Sequence, residues 1–324
     1  MVASAQTSNS KLAQIDNRLS VQVQNFAQDS CAIRSLDWDR SRFDIEFGLR
    51  NGTTYNSFII EGEKLAIIDT SHAKFQKLWF EELIKQVNPK DIDFLISSHT
   101  EPDHSGLIGN LLELNKNITI VGSKLALKFL EDQIHIPFKS LEVKSGEFLD
   151  LGTNSISGLN HNIEFISAPN LHWPDTIFSY DHATNVLYTC DAFGLHYCSD
   201  EFFDTNQKEI YEDFRFYYDC LMGPNARSVL QAIKRINKLP KLKTIAVGHG
   251  PLLHNQVEFW KEKYFEWSSN KSKGNEFVSV CYISDYGYCD RLSQAISHGI
   301  SKADAQVQLI DLRSSDSQEL TGLI

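Results

Sequence analysis

Seven short apolar runs, each bounded by turn residues, most constrain what this chain can fold into. They are rich in β-branched residues and too short for buried helices, so they predict strands. Helical patterns lie between them, and in one of these Phe75, Trp79, Leu83 and Val87 recur every four residues. Strands and helices mixed on this scale predict a layered α/β architecture. The runs are NSFII (56–60), KLAIIDT (64–70), DFLISS (93–98), ITIVGS (118–123), IEFISAP (163–169), NVLYTCD (185–191) and KTIAVGHG (243–250).

The composition changes near residue 270. The stretch SSNKSKGNE (268–276) is polar, lacks an apolar period and predicts a linker. A strand (277–283), a helix with Leu292, Ile296 and Ile300 on one face, and a second strand (307–312) then predict a single βαβ unit. Two parallel strands and one helix do not bury both faces of a sheet, so we expect a truncated or split domain here. The predicted division is an N-terminal segment 1–33, a first domain 34–267, a linker 268–276 and a truncated second domain 277–324.

The bulk composition excludes several classes of protein. A net charge of -11 argues against binding to nucleic acid or to an anionic membrane. No stretch approaches the roughly 18 apolar residues that a membrane-spanning helix needs. The N-terminal stretch lacks the apolar core of a signal peptide, which favours a cytoplasmic location. The six cysteines are scattered without CxxC spacing, so we expect free thiols.

The stretch SSHTEPDHSG (97–106) carries four potential metal ligands within six residues: His99, Glu101, Asp103 and His104. Imidazole and carboxylate are the ligands that borderline and hard transition metals prefer. The stretch lies between a predicted strand and a predicted helix, where a bend lets these side chains converge. On its own, however, such a cluster is about as often a solvated loop as a metal site.

Three later residues favour the metal site. His172 (in PNLHWPD), Asp191 (in CDAFG) and His249 (in VGHG) each follow a predicted strand. The carboxyl ends of strands are the edge at which α/β proteins usually build their sites. Seven candidate ligands at that edge suit two metal ions that share one bridging carboxylate. The glycines beside His249 let the backbone approach the centre closely.

These residues and the segments around them resemble the metallo-β-lactamase superfamily and, within it, the flavodiiron proteins. The segments NGTTYNSFIIEGEKLAIIDT, HTEPDHSG, LHWPD and DAFG carry the resemblance, which runs from about residue 34 to the end of the chain. It implies a metallo-β-lactamase-like αββα sandwich followed by the start of a flavodoxin-like α/β domain. It also implies two iron ions, one held by His99, Glu101 and His172 and the other by Asp103, His104 and His249, with Asp191 as the bridge.

Glu101 separates the two kinds of chemistry that this superfamily supports. The zinc hydrolases of the superfamily usually have histidine at this position. A carboxylate is a harder, anionic ligand that favours iron or manganese over zinc and stabilises an oxidised metal. Zinc has no redox chemistry, although zinc sites with carboxylate ligands exist. A zinc hydrolase that acts through a metal-bound hydroxide therefore remains the alternative.

The segment YISDYGYCDRLSQAI (282–296) resembles the phosphate loop of the FMN-binding flavodoxin-like domains that follow the diiron domain in this family. Backbone N–H groups at a helix N-terminus bind phosphate well. The family often has threonine where this chain has Tyr286 and Cys289, and a thiol is a weak hydrogen-bond donor. We expect weak FMN binding, because the loops that would grip the flavin ring lie beyond Ile324. The candidate FMN residues are Ser284, Asp285, Tyr286, Gly287, Tyr288 and Cys289.

The resemblance implies an oxidoreductase that reduces O2 to water, or NO to N2O, with electrons from FMN. The loop is most similar to that of cyanobacterial members, which commonly carry a further flavin-reductase module. We expect the electron donor to be such a module or an NAD(P)H-linked protein. We also expect a head-to-tail homodimer or heterodimer. A non-catalytic subunit of a hetero-oligomer is a further alternative.

Other polar residues have weaker claims to a function. Asp69 ends a predicted strand and is either a partner that orients a ligand histidine or a simple turn residue. His196 either lines the substrate pocket or has a surface or packing role, and we favour the second. Trp173 and Asp175 are expected to shape the loop around His172. Structural or surface roles are expected for His72, His135, His161, His182, His254 and His298.

Overall fold

The computed structural model describes residues 18–43, 47–272, 277–302 and 305–313. Among these residues, no helix has the length and apolarity needed to cross a bilayer. The strands are β1 (Leu19–Ala27), β2 (Ser30–Asp37), β3 (Arg42–Phe43), β4 (Phe47–Gly48), β5 (Thr53–Glu61), β6 (Leu65–Ile68), β7 (Ile92–Ile96), β8 (Thr119–Gly122), β9 (Lys139–Glu142), β10 (Phe148–Thr153), β11 (Asn160–Ser167), β12 (Ile177–Asp181), β13 (Val186–Cys190), β14 (Thr244–Val247), β15 (Phe277–Tyr282) and β16 (Gln306–Asp311). The α-helices are α1 (Gln76–Gln86), α2 (Pro102–Ser105), α3 (Ile108–Leu114), α4 (Lys124–Gln133), α5 (Gln207–Tyr217), α6 (Ala226–Ile236), α7 (Val257–Ser272) and α8 (Tyr288–Lys302).

Two sheets packed face to face form the body of the molecule. The first has seven strands in the order β1-β2-β5-β6-β7-β8-β9, and the second has five in the order β10 to β14. Phe58 and Phe165 belong to the apolar cluster between the sheets. Trp79 packs with residues of α3 and α4 outside the first sheet, and Trp260 packs with residues of α5 and α6 outside the second. The layers confirm the predicted αββα sandwich.

Helix α1 buries the apolar face that the sequence predicts. Phe75, Trp79 and Leu83 are fully buried, and Val87 packs at the edge of the same cluster. The indole N–H of Trp79 donates to the Ser57 hydroxyl at 2.8 Å, which satisfies the polar atom of a buried ring. The hydrophobic effect of this face therefore fixes α1 on the outer side of the first sheet.

The structure differs from the predicted boundaries at two places. β1 and the first part of β2 lie before residue 34, yet they pair in register in the first sheet. Helix α7 continues to Ser272, so the first part of the predicted linker is helical, while 273–276 lie outside the described residues. Tertiary contacts explain the longer helix, because Trp267 is buried and Ser268 hydrogen bonds to the Tyr218 hydroxyl at 2.8 Å. The division into domains itself stays a prediction.

The C-terminal strands and helix form the predicted βαβ unit. β15 and β16 pair in parallel, from Phe277 opposite Gln306 to Tyr282 opposite Asp311. The predicted apolar face of α8 is wrong for Leu292 and Ile296, which are 61% and 44% exposed, while its third member, Ile300, is half-buried. The buried residues of α8 are small and polar, namely Ser293 and Ser297.

A buried ionic network joins β11, β12 and the turn between β1 and β2. His161 on β11 is fully buried, with Nδ1 at 2.9 Å from Asp181 and Nε2 at 3.2 Å from Asp29. Asp29 also accepts a hydrogen bond from Ser157, and Asp181 accepts one from Thr184 at 2.6 Å. Burial lowers the pKa of His161, but its hydrogen bonds to Asp181 and Asp29 outweigh burial and raise the pKa above the usual value. The structural role predicted for this histidine agrees with these contacts.

We expect His161→Leu to destabilise the protein by about 3–5 kcal/mol near pH 6, because it leaves two carboxylates without their cation. The pKa of His161 is higher in the folded protein than its value of 6.5 in the unfolded chain, so the network contributes its full stabilisation below pH 6.5. This stabilisation is lost as the pH rises through the pKa of the folded protein. The difference in unfolding free energy between variant and wild type should therefore narrow at alkaline pH. Urea denaturation across this range measures it.

His182→Gln is the matched control, since His182 pairs with Glu164 near the surface, with side chains 34% and 22% exposed. Exposed pairs contribute about 0–1 kcal/mol. A loss of unfolding free energy in His161→Leu that is as small as in His182→Gln, or that grows with pH, would contradict the role of the buried cation.

Candidate metal centre

The loop after β7 and the short helix α2 carry the first four candidate ligands. Pro102 occupies the first turn of α2, where its fixed φ favours the start of a helix. Glu101 immediately precedes the helix with an extended backbone, and Asp103 and His104 lie inside it. This change from loop to helix within six residues turns all four side chains, including that of His99, toward one point.

The other three candidates come from the second sheet. His172 lies in the loop after β11, Asp191 follows β13, and His249 follows β14. All lie at carboxyl ends of strands, as the sequence predicts. Gly248 is needed beside His249, because a Cβ there would lie 2.7 Å from Cε1 of His104. Each candidate therefore reaches the centre from a strand end.

Strained backbone surrounds the centre. Asp69, Asn170, Cys190 and Phe193 are non-glycine residues with φ between 51° and 65°. Two of them, Cys190 and Phe193, flank Asp191. Such conformations cost about 1–3 kcal/mol each and cluster at functional sites. The fold therefore maintains an unfavourable local backbone in order to place these side chains.

The first trio of candidate ligands is His99, Glu101 and His172. Nε2 of His172 lies 2.9 Å from Oε2 of Glu101, and Nε2 of His99 lies 3.5 Å from the same oxygen. The two nitrogens also lie 3.0 Å and 3.3 Å from Oδ2 of Asp191. The His172 side chain is 16% exposed and His99 is fully buried. Their donor atoms are close enough together to bind a single metal ion.

The second trio is Asp103, His104 and His249. Nε2 of His249 lies 3.3 Å from Asp103 Oδ2, and Nε2 of His104 lies 3.6 Å from Asp103 Oδ1. Oδ1 of Asp191 lies 3.0 Å from His104 and 3.2 Å from His249. Asp191 therefore faces one oxygen toward each trio, which is the arrangement of a bridging carboxylate.

The electrostatics of the centre favour cations. The carboxylates of Asp103 and Asp191 are buried among imidazole rings, with their oxygens 3.0–3.6 Å from ring nitrogens of His104, His172 and His249. Buried carboxylates are normally paired or bound to metal. Four imidazoles and three carboxylates are also a donor set that suits iron or manganese. The residues therefore fit a pair of hard or borderline metal ions, and their role as ligands stays a prediction.

The pKa values of the candidate ligands are shifted by their contacts with one another. Burial lowers the pKa of His172, but hydrogen bonds to Asp191 and Glu101 outweigh burial and raise it to about 9. In the same way, hydrogen bonds to Asp103 and Asp191 raise the pKa of His249 to about 10 against the effect of burial. Burial favours a raised pKa for Glu101, but hydrogen bonds from His172 and His99 hold the pKa below its usual range.

Outer contacts orient the candidate ligands. Nδ1 of His249 donates to the Thr54 carbonyl at 2.6 Å, which leaves Nε2 free to bind a metal. Asp69 accepts a hydrogen bond from the backbone N–H of Ser98 at 2.7 Å. This bond fixes the loop that carries His99 and does not involve the ring of a candidate ligand. Asp175 accepts from the Thr100 hydroxyl at 2.8 Å and ties that loop to the one that carries His172.

His196 is a buried neighbour of the centre, so the surface half of the favoured surface or packing role is wrong, whereas its ring contacts agree with the packing half. It is buried, and its ring lies 4.9 Å from that of His249 and 4.8 Å from that of Tyr217. Its Nδ1 pairs with the Thr53 hydroxyl at 2.9 Å, whereas Nε2 and the Tyr217 hydroxyl have no hydrogen-bond partner. Sequence reasoning missed Tyr217 entirely. It precedes a π-helix (Tyr218–Met222), a feature frequent at functional sites.

The remaining histidines lie elsewhere. His72 accepts the Lys74 N–H and so caps a short 3₁₀ helix, and His254 pairs with Thr244 at 2.8 Å. His135 and His298 are exposed. Structural or surface roles agree with these positions.

The candidate FMN loop lies at the N-terminus of α8. Tyr286 and Tyr288 are 89% and 75% exposed, and Gly287 has φ +77°. Ser284 and Gly287 line a cavity of about 440 Å³ that His172 also lines. Asp285 pairs with Arg313. The loop and one side of the metal centre thus open into the same space.

Comparisons with known proteins identify the family. A family model described as "ODP family beta lactamase" matches residues 53–250. The flavodiiron core of Flv1 from Synechocystis sp. PCC6803 superposes with a TM-score of 0.77 and 32% identity, over 93% of this chain and 74% of that one. The chain belongs to the flavodiiron family. Rubredoxin oxygen:oxidoreductase from Desulfovibrio gigas has a TM-score of 0.72 and 25% identity, over 93% and 74% of the two chains.

A sequence relative shows how much of a longer protein this chain represents. It is 57% identical over 310 residues to putative diflavin flavoprotein A 3 from Nostoc sp. PCC 7120. The match covers 95% of this chain but 53% of the relative, so this flavodiiron chain spans about half the length of that protein.

Metal binding should release protons, because only neutral imidazole binds a metal ion. His172 and His249 have pKa values of about 9 and 10 without metal. Near neutral pH each must therefore lose its proton, and metal affinity should rise with pH until those values are passed. Calorimetric titration with ferrous ion in buffers of different ionisation enthalpy counts the protons. Affinity that is independent of pH would contradict this electrostatic description.

Asp191→Asn should reduce the metal content from two ions per chain to one or none, because an amide does not bridge two cations. Metal analysis after anaerobic loading measures this. Asp181→Asn is the control, since Asp181 is equally buried but belongs to the distant His161 network. Two ions retained in Asp191→Asn would refute the bridging role.

Proposed function

We propose that this chain is the diiron part of a flavin-dependent oxidoreductase that reduces O2 to water or NO to N2O. The observation that carries the proposal is Asp191, which directs one oxygen to each of two donor trios. When bound, two adjacent iron ions supply electrons in pairs. One would be held by His99, Glu101 and His172 and the other by Asp103, His104 and His249.

The carboxylates support redox rather than hydrolytic chemistry. Glu101 and Asp103 add anionic, hard ligands on either side of Asp191, and such ligands favour iron over zinc. The burial of both trios also favours small substrates over bulky esters. His172, which is 16% exposed, is the point at which the centre approaches open space. Small diatomic substrates match this degree of enclosure better than the substrates of hydrolases do.

Protons reach the centre through this chain's own residues. Reduction of O2 to water consumes one proton for each electron. A cavity of about 330 Å³ is lined by Asp213, Arg50 and Glu212 and reaches His196 and Tyr217. Nε2 of His196 and the Tyr217 hydroxyl belong to rings beside that of His249, and neither atom has a hydrogen-bond partner. We assign His196 and Tyr217 the transfer of protons between this cavity and the substrate.

Electrons are proposed to reach the irons from a flavin. The loop with Ser284 and Gly287 is the proposed phosphate site, and in a head-to-tail dimer the flavin of one subunit would lie near the metal centre of the other. FMN is the flavin we propose, and a flavin-reductase module or an NAD(P)H-linked protein is the proposed source of electrons. The proposed assembly is a head-to-tail homodimer or heterodimer.

The decisive experiment combines metal content with single turnovers. Protein loaded with ferrous ion and supplied with reduced flavin should consume O2 or NO, and parallel anaerobic assays with each gas identify the preferred one. Asp191→Asn is the inactive control. Zinc as the bound metal, together with hydrolysis of a thioester or phosphodiester and no gas uptake, would instead establish the hydrolase. Two bound irons with no turnover of either gas would favour the non-catalytic subunit.

His196→Gln should lower the rate of gas reduction by about 10²-fold, the lower range for loss of a group that transfers protons. The rate should become steeply dependent on pH, while iron content stays unchanged. His254→Gln is the control, because His254 pairs with Thr244 and lies outside the centre. An unchanged rate in His196→Gln would remove this residue from the proton path.

A further inference from the structure

The thiol of Cys190 is a donor group at the metal centre that the diiron ligand set leaves unused. Cys190 is 1% exposed and immediately precedes Asp191. Its Sγ lies within 4.8 Å of donor atoms of His99, His104 and Asp191, and these atoms lie equally close to one another. The four residues come from both sheets and are all buried.

The spacing of these four donors suits one tetrahedral ion. Zinc–nitrogen and zinc–sulfur bonds of about 2.0 and 2.3 Å place tetrahedral donor atoms about 3.3–3.8 Å apart. Nε2 of His99 lies 3.3 Å from Oδ2 of Asp191 and Nε2 of His104 lies 3.0 Å from Oδ1, so a single ion between the two rings would take one of these two oxygens. Small side-chain rotations bring Cys190 into the same range, because its Sγ is already within 4.8 Å.

The buried charge of Asp191 supplies independent support for a cation. Its carboxylate is fully buried, and Oδ2 lies 3.3 Å from Nε2 of His99 and 3.0 Å from Nε2 of His172. Gly248 also keeps side-chain atoms away from the thiol, since a Cβ there would lie 3.2 Å from Sγ of Cys190 and 2.7 Å from His104. Cys190 and His104 therefore face the same small space.

We propose that His99, His104, Cys190 and Asp191 bind a single thiophilic divalent cation, such as Zn²⁺, in a mode that excludes the metal pair. A thiolate is a soft ligand that favours zinc over iron, unlike the carboxylates of Glu101 and Asp103. The thiol gives its proton to solvent as the metal–sulfur bond forms. Because three of the four ligands also belong to the diiron set, zinc in this mode blocks loading of iron. The proposal rests on the proposed function only for the identity of the blocked metal pair.

Cobalt(II) tests this mode without any assay of activity. It substitutes for zinc and gives an intense near-ultraviolet charge-transfer band when a thiolate binds it. Metal-free protein titrated anaerobically should bind one cobalt ion per chain with this band. Cys190→Ser should lose the band, and Cys198→Ser should keep it, because Cys198 is a buried cysteine outside this donor set. Prior saturation with zinc should slow iron loading in the wild type and in Cys198→Ser but much less in Cys190→Ser.

Two results overturn the proposal. Two cobalt ions per chain with no thiolate band in the wild type would agree with the proposed two-metal centre and contradict the single-ion mode. A band that persists in folded Cys190→Ser would place the thiolate elsewhere. If neither Cys190→Ser nor Cys190→Ala folds, cobalt X-ray absorption on the wild type decides, since the proposal requires one sulfur neighbour and the metal pair requires none.

Discussion

The buried carboxylate of Asp191 is the contact on which the rest of the centre depends. Its two oxygens lie within 3.3 Å of imidazole nitrogens on four histidines, each carried by a strand end or the helix that follows it. Two of these histidines belong to the first sheet and two to the second. The packing of the two sheets against each other, through side chains such as Phe58 and Phe165, therefore sets the geometry of the centre.

The seven candidate ligands could be found from the sequence for a simple physical reason. Strand runs end in polar residues only where a turn or a site begins, and consecutive parallel strands bring those ends to one edge. His172 and His249 are far apart in sequence but follow strands of the same sheet. The αββα layers could also be predicted from the sequence, because strands and helices have different hydrophobic periods and α1 repeats its apolar residues every four positions.

The environment of the ligands was less predictable. His196 and Tyr217 contact the centre through ring packing, and a periodic pattern in the sequence does not indicate such contacts. The end of α7 was missed because Ser268 is held by Tyr218, a tertiary contact that overrides a polar local composition. In α8 the apolar pattern pointed to the wrong face, since a helix on a two-stranded sheet has little surface to cover. Local patterns failed where distant contacts decide the structure.

The attachment of the candidate ligands to two packed sheets has a consequence for metal loading. The four histidines and Asp191 lie at strand ends of a sandwich that has apolar clusters of its own. Unlike a zinc finger, whose fold depends on its metal ion, such a sandwich gains most of its folding free energy from apolar burial. We therefore expect metal loading to be a step separate from folding, in which metal supply and ligand softness choose the ion. Metal availability in the cell would then determine the fraction of chains that carry the proposed iron pair.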